Sequence, residues 1–330
     1  MSSLTNAPSP LQGTLSLFQT EPVSLPVFET RPYLPNKLVF VPGLTDTIGV
    51  VPYLPKLAAA VEKLDYSLVQ PMLASNLGGF GTSSLEGDAQ EIAQLLEHLL
   101  TRSEGACTGR LVLMGHSTGC QDTMAFLSQE RKLPSGAPIK VHGGILQAPV
   151  SDCEHFEATE GENSEGRQRL GQAKDLVESG QSSALLPRSA REKPVSNDGR
   201  GLGNAEAVLN PAFTAYRFQS LNGQGGDDDF FSSNLEEEAM RKAWKPALSR
   251  APLLALMGEK ECVCTVGERE RLTEQRVCAR QRRPGSAAQA LERPAPRRPA
   301  HHHDDPRRQP QGGRRSCTGQ GVRSRHVLPS

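Results

Sequence analysis

The pentapeptide Gly-His-Ser-Thr-Gly at residues 115–119 constrains the fold of this chain more than any other feature of the sequence. It follows directly on the apolar run 111–114 and precedes a segment with helical spacing of apolar residues. A Gly-x-Ser-x-Gly sequence between a buried strand and a helix predicts a tight, strained turn that exposes a serine hydroxyl. We therefore predict that Ser117 is a catalytic nucleophile and that Gly115 and Gly119 leave room for its turn. The alternative, an ordinary strand-to-helix turn, accounts less well for this context.

Short apolar runs alternate with amphipathic segments over most of the chain. Runs of strand length lie at 37–41, 67–72, 110–114, 142–147 and 252–257. Helical spacing of apolar residues follows the first and second runs, and Ser83 with Glu86 forms a capping-box pattern before the second helix. Near-continuous apolar strands that alternate with helices are typical of a parallel sheet covered on both faces. We therefore predict the fold class α/β.

The segment 153–250 interrupts this alternation, and we interpret it as a lid insertion over the carboxyl edge of the sheet. Its first half, 154–205, is polar, and its second half is rich in aromatic residues. A helix is predicted from Asn234 to Trp244, with Ser233 and Glu236 as its capping box. The acidic run 227–229 is explained either as a contact for cationic substrates or as a solvated loop.

Two backbone N–H groups are needed to bind the oxyanion that forms when a serine attacks an ester. One donor is expected to be the backbone N–H of Thr118. The helix that follows also points the positive end of its dipole at the developing oxyanion. The other is expected from Leu44 in the loop after the first core strand, although Gly43 beside it is explained almost as well as a residue that ends the strand. His116 is expected to pack beside the turn and not to act as a base.

Six motifs extend this pattern along the chain in a specific order. They are GLTD at 43–46, VPYL at 51–54, GTSSL at 81–85, MGHSTGCQD at 114–122, LQAPVSD at 146–152 and GGDDDFFSS at 225–233. Together they resemble a fungal α/β-hydrolase family of formerly unknown function (DUF1749-like), which includes fusarinine-type siderophore esterases. The resemblance covers about residues 10–264.

This resemblance implies an α/β-hydrolase fold and serine esterase chemistry on a small-molecule ester, with hydroxamate siderophores of the fusarinine type as the expected substrates. It implies no cofactor and no metal site on the protein, because the iron belongs to the substrate. The alternative function is a catalytically impaired, hydrolase-like binding protein that lacks a complete triad. Acyl transfer also remains open, since it uses the same serine turn.

The acid and the histidine of the triad should follow the serine in chain order. The acid segment of the family corresponds to 256–263, where Lys260 takes the place of the expected aspartate. Glu261 is our candidate acid, with Glu259 as an alternative and Asp152 as a second alternative that is better explained as a loop-capping residue. No base is assigned, because the downstream histidines at 301–303 and 326 follow no apolar strand. The run of three is better explained by composition than by metal binding.

Residues 265–330 differ in composition from the rest of the chain. They contain 15 Arg and 6 acidic residues, a net charge of +9, whereas residues 1–264 carry −9. They hold no aromatic residue, so they bury too little apolar surface to offset the entropy of ordering. We therefore predict a hydrolase domain at 1–264, with its C-terminal strand and helix missing, and a disordered Arg/Pro-rich tail at 265–330. A shifted reading frame or a mispredicted exon explains this switch better than a basic tail that binds acidic partners.

The remaining features narrow the class of protein. The acidic domain has no basic face suited to nucleic acid, and no apolar run approaches the roughly 20 residues that span a bilayer. Seven scattered cysteines without a Cys-x-x-Cys pair favour a reducing compartment, and the N-terminus shows no signal-peptide pattern. We therefore expect a cytoplasmic protein whose folded domain binds neither nucleic acid nor membrane.

Overall fold

The computed structural model describes residues 10–19, 21–188 and 211–258. Within these residues, seven strands form one sheet in the order β1-β2-β4-β3-β5-β6-β7. The strands are β1 (Thr14–Gln19), β2 (Leu25–Glu29), β3 (Asn36–Val41), β4 (Tyr66–Pro71), β5 (Leu111–His116), β6 (Gly143–Gln147) and β7 (Leu253–Leu256). The pairs β4–β3, β3–β5, β5–β6 and β6–β7 are parallel, which confirms the mostly parallel sheet predicted from the sequence.

Successive residues of the central strands bury on opposite faces of the sheet. Leu38 and Phe40 of β3 pack into one apolar cluster, and Val39 and Val41 of the same strand pack into another. Both faces are therefore dry, which is why the central strands read as continuous apolar runs. Strands β1 and β2 are antiparallel additions at one end of the sheet that the sequence interpretation missed, because β1 is largely exposed.

Seven helices connect or flank these strands in the described ranges. They are α1 (Leu54–Glu62), α2 (Leu85–Thr101), α3 (Gly119–Ser128), α4 (Asp152–Thr159), α5 (Glu165–Glu178), α6 (Ala215–Asn222) and α7 (Glu237–Arg250). Helix α1 covers one face of the sheet, whereas α2, α3 and α7 contribute to the core on the other face.

Both predicted capping boxes are wrong in detail. The N-cap of α2 is Ser84, whose hydroxyl accepts a hydrogen bond from the Gly87 N–H, and not Ser83. Helix α7 begins at Glu237 without a side-chain cap. The hydroxyl and N–H of Ser233 instead donate to the Glu154 carboxylate, at 2.5 Å and 2.7 Å, so this serine ties the loop before α7 to α4.

The segment predicted as a lid contains two kinds of structure. Helices α4, α5 and α6 share a separate apolar cluster in which Phe156 and Phe218 are buried around Ala173. Helix α7 packs on α3 instead, and Ala247 is fully buried in the main core. The polar stretch 154–205 therefore holds α4 and α5, which the sequence interpretation did not predict.

Strand β7 lies at the end of the sheet in the described part of the chain. Leu254 and Leu256 are exposed there by 51% and 42%, respectively. Residues 259–330 lie outside the described residues, and with them lie the candidate acid Glu261, the downstream histidines and the predicted tail.

Candidate active site

The turn after β5 holds Ser117 in a strained backbone conformation. Its φ is +52°, in the left-handed region that costs a side-chain-bearing residue energy and that is retained mainly at functional sites. A Cβ on Gly115 would lie 2.3 Å from the Gly119 carbonyl oxygen, and a Cβ on Gly119 would lie 2.3 Å from the Val41 carbonyl oxygen. Both flanking glycines are therefore required for close backbone approach at this turn.

The loop after β3 forms a second tight turn directly against the serine. The Asp46 N–H donates to the Gly43 carbonyl oxygen at 3.1 Å, and Thr45 between them has a φ of +66°. A Cβ built on Gly43 would lie 3.0 Å from the Ser117 Cβ, so only glycine allows this approach without a shift. We call residues 43–46 the oxyanion turn.

The two expected oxyanion donors lie on these two turns. The Thr118 N–H is at the start of α3, and it donates to no other residue that the structure describes. The Leu44 N–H donates to the Thr118 hydroxyl at 2.6 Å. The structure thus brings together Leu44, Ser117 and Thr118, which the sequence predicted separately.

The His116 ring is held in place by contacts on several sides. Its Nδ1 lies 3.2 Å from the Tyr53 hydroxyl and also within hydrogen-bonding distance of the Gln147 carboxamide oxygen. The ring stacks on Phe40 with centroids 6.0 Å apart, and its Nε2 is 3.8 Å from an Asp46 carboxylate oxygen. These contacts agree with the expected packing role and tie the strand end to the oxyanion turn.

A buried polar cluster lies in the wall of the cleft beside the oxyanion turn. Its centre is Arg217, which is 3% exposed, pairs with both carboxylate oxygens of Asp228 at 2.7–2.8 Å and donates from Nε to the Phe80 carbonyl oxygen. Asp88 from α2 and Asp122 from α3 face the same cleft, close enough to interact electrostatically with each other and with Arg217.

Burial raises the pKa values of both carboxyls in this pair. Desolvation is the main cause of a pKa of about 7 for Asp88, and the charge of Arg217 opposes it. The pKa of Asp122 lies well above its usual range for the same reason, with the nearby Asp88 charge adding to the effect. Two carboxyls in one dry site share a proton more readily than both ionise.

Asp152, the alternative acid, is the first residue of α4 and accepts a hydrogen bond from Gln121 Nε2 at 2.8 Å. Desolvation and the charge of Asp228 raise its pKa to about 7. Among the described residues, no histidine contacts this carboxyl.

The three carboxylates of the acidic run 227–229 all have partners within the protein, and Asp228 alone among them is buried. Asp228 is buried against Arg217, and Asp227 accepts from the Tyr216 hydroxyl at 2.6 Å. Asp229 accepts from the Gly225 N–H at 3.0 Å and from Ser232. These hydrogen bonds hold the loop against α6. The solvated-loop interpretation is wrong for the buried Asp228, whereas Asp227 is exposed, and a contact with cationic substrates stays a prediction.

A family model described as a protein of unknown function, DUF1749, matches residues 1–287. The chain belongs to this family. An esterase of Emericella nidulans is 30% identical over 265 residues, covering 71% of this chain and 70% of that protein. The fusarinine C esterase sidJ of Aspergillus fumigatus is 31% identical over 273 residues, covering 74% of this chain and 76% of that protein.

Among solved structures, the siderophore hydrolase EstB of Aspergillus fumigatus superposes on this DUF1749 protein with a TM-score of 0.59. It is 27% identical and covers 81% of this chain and 84% of its own. The α/β-hydrolase fold predicted from the sequence is confirmed, and the DUF1749 protein is a hydrolase of the esterase type.

Two further findings concern only the described part of the DUF1749 protein. No helix there is long and apolar enough to cross a membrane. No group of three or more His, Cys, Asp or Glu side chains in these ranges is arranged to hold a metal ion.

Proposed function

We propose that this chain is a serine ester hydrolase in which Ser117 is the nucleophile and that its substrates are esters of hydroxamate siderophores. The observation that carries the proposal is the strained Ser117, packed between two obligatory glycines and facing an oxyanion turn. Such strain persists only where the surrounding structure enforces it, and here it exposes a hydroxyl at the carboxyl end of a central strand.

In the first step, the Ser117 oxygen forms a bond to the ester carbonyl carbon, and the carbonyl π electrons move to oxygen. The serine proton passes to a general base, which returns it to the leaving alcohol as the carbon–oxygen bond breaks. Water then repeats the sequence on the acyl-enzyme and restores the serine. We propose a histidine as the base, without assigning it to a position in this sequence, and Glu261, which lies outside the described residues, as the acid that orients it.

Helix α3 contributes to the same step electrostatically. Its first turn points N–H groups and the positive end of the helix dipole at the carbonyl oxygen, where negative charge develops. Thr118 is its N-cap residue, so the donor is fixed relative to Ser117 by the helix itself.

The substrate class is supported by two relatives, one named for fusarinine C and the other for siderophores. We therefore propose a small-molecule ester as the general substrate class of this chain. We place the reaction in the cytoplasm, a proposal supported by the free thiols of Cys107, Cys120 and Cys153, which are buried and unpaired.

Hydrolysis of fusarinine C and of a simple aryl acetate by the purified full chain tests this proposal. We expect turnover of both, with a higher kcat/KM for fusarinine C, and loss of at least about 10⁴-fold in kcat with Ser117→Ala. Ser135→Ala, at an exposed serine, is the matched control and should leave both rates unchanged. Turnover that persists in Ser117→Ala would refute the assignment of Ser117 as the nucleophile. Turnover of the aryl acetate without turnover of fusarinine C would refute the proposed substrate class.

The alternative, a binding protein with an incomplete triad, has one observation in its favour. No histidine within the described ranges hydrogen-bonds to Ser117. This alternative predicts saturable binding of fusarinine C, measured by calorimetry, without product formation over hours.

A further inference from the structure

The Leu44 N–H, which the family pattern assigns to the oxyanion, already has a partner. It donates to the Thr118 hydroxyl oxygen over 2.6 Å, a short distance for an N–H···O bond. The Thr118 side chain joins the oxyanion turn to the first residue after the nucleophile. The Leu44 amide that was expected to bind the oxyanion is therefore already hydrogen-bonded within the protein.

A threonine hydroxyl has one proton to donate and two lone pairs that accept. Because Thr118 accepts from Leu44, the hydroxyl proton remains available for a different acceptor. No described residue accepts a hydrogen bond from this hydroxyl. Thr118 is only 9% exposed, and a buried donor without an acceptor costs roughly 1–3 kcal/mol.

The backbone N–H of the same residue is also open. Thr118, the residue after Ser117, lines the cleft and thus presents two donors there, its N–H and its hydroxyl. Both donors have fixed positions. The N–H belongs to the N-cap residue of α3, and the hydroxyl oxygen is hydrogen-bonded to the strained oxyanion turn, in which Thr45 has a φ of +66°.

We propose that Thr118 is a catalytic residue whose hydroxyl accepts a hydrogen bond from the Leu44 N–H and donates one to the oxyanion, beside the donor from its own backbone N–H. The inference rests on the proposed function, since it needs Ser117 as the nucleophile. In this arrangement, Leu44 acts through Thr118 by polarising its O–H bond. A chain of two hydrogen bonds ending on an anion strengthens each member, more so in a site that excludes water.

Two interpretations of the Thr118 hydroxyl predict opposite changes in kcat when the hydroxyl is removed. In one case the hydroxyl only accepts the hydrogen bond from the Leu44 N–H in the free enzyme. Removing the hydroxyl then leaves that N–H available to the oxyanion, and kcat rises or is unchanged. If the hydroxyl itself binds the oxyanion, its removal deletes a donor that acts mainly in the transition state. Loss of one such donor lowers kcat by about 10²–10³-fold with little change in KM.

The experiment compares Thr118→Val, which keeps the shape and removes the hydroxyl, with Thr118→Ser, which keeps the hydroxyl. We expect Thr118→Val to lose about 10²-fold in kcat for an aryl acetate at an unchanged KM, and Thr118→Ser to stay within about tenfold of the parent. Thr101→Val, at an exposed threonine at the end of α2, is the control for the substitution itself. Unchanged or faster turnover by Thr118→Val, or equal losses in both Thr118 variants, would overturn the proposal.

A binding arm separates this proposal from the proposed function. An aryl boronic acid adds to a serine oxygen, loses a proton to solvent and becomes a tetrahedral anion that fills the oxyanion site without turnover. We expect Thr118→Val to weaken its binding by at least about tenfold, Thr118→Ser to retain it and Ser117→Ala to abolish it. Binding that depends on Ser117 and not on Thr118 would overturn the Thr118 role alone. Binding or turnover that persists in Ser117→Ala would overturn both proposals.

Discussion

Asp88→Asn should make the protein more stable at neutral pH than its parent, the opposite of what loss of a buried hydrogen-bonding group usually does. Asp88 is 3% exposed and faces Asp122, Glu91, Arg217 and Asp228, with the Ser75 hydroxyl as a hydrogen-bond partner. Burial is the main cause that raises its pKa from 3.8 to about 7. The folded protein therefore binds a proton at this site more tightly than the unfolded chain does.

The sign of the pH dependence follows from this difference. Below pH 4 the carboxyl is protonated in both states, and the site contributes its full stability. Between pH 4 and 7 the unfolded chain releases the proton while the folded protein retains it, so stability falls as pH rises. From 3.8 to about 7 the loss amounts to about 4 kcal/mol, at about 1.36 kcal/mol per pH unit. An asparagine carries no such cost, although it gives up about 1 kcal/mol of hydrogen bonding.

Thermal unfolding at pH 4 and at pH 8 measures the effect. The Tm of Asp88→Asn relative to the parent should rise by several degrees between these pH values, because a domain of this size gains about 2–4 °C per kcal/mol. Asp65→Asn, at an exposed aspartate with a φ of +61° that asparagine tolerates, is the matched control. Parallel Tm curves for Asp88→Asn and the parent would refute the assignment of a retained proton to this cluster.

Two further predictions follow from the backbone of the serine turn and from the edge of the sheet. Gly115→Ala should abolish activity and lower the Tm, because its Cβ would meet the Gly119 carbonyl oxygen at 2.3 Å. The control Gly171→Ala, in the interior of α5 with no atom within 4 Å, should leave activity unchanged and raise the Tm slightly, because alanine favours a helix more than glycine does. Retained activity in Gly115→Ala would contradict the strained turn. Leu254→Lys should reduce self-association measured by light scattering, because β7 is the last strand of the sheet in the described part of the chain and its Leu254 and Leu256 are exposed there. Unchanged association would show that this strand is not the contact.

The parallel core was predictable from the sequence because strands buried on both faces leave continuous apolar runs, as in 37–41 and 67–72. Strands β1 and β2 were not: β1 is mostly exposed and carries no such run, and the short β2 contains Pro26 and ends on Glu29. Ser233 was misassigned as a helix cap because its partner, Glu154, is 79 residues away in the chain. Local patterns identify a capping serine, but they do not reveal a distant acceptor.

In the candidate site, too, local features could be predicted from the sequence and contacts between distant residues could not. Ser117, Gly115 and Gly119 were predictable because the turn that they form is local, and the structure places them in that turn. The cluster of Asp88, Asp122, Arg217 and Asp228 was not, because its members lie on three helices and a loop. The one signal available in advance was Asp122, an aspartate within the otherwise buried helix α3.

Covalent labelling of the full chain with a fluorophosphonate tests the central claim, that Ser117 is an activated nucleophile, most directly. The account predicts a single adduct by intact mass spectrometry, located on Ser117 by peptide mapping, and no adduct in Ser117→Ala. Labelling that leaves Ser117 unmodified, or that marks another serine equally in the parent and in Ser117→Ala, would contradict it.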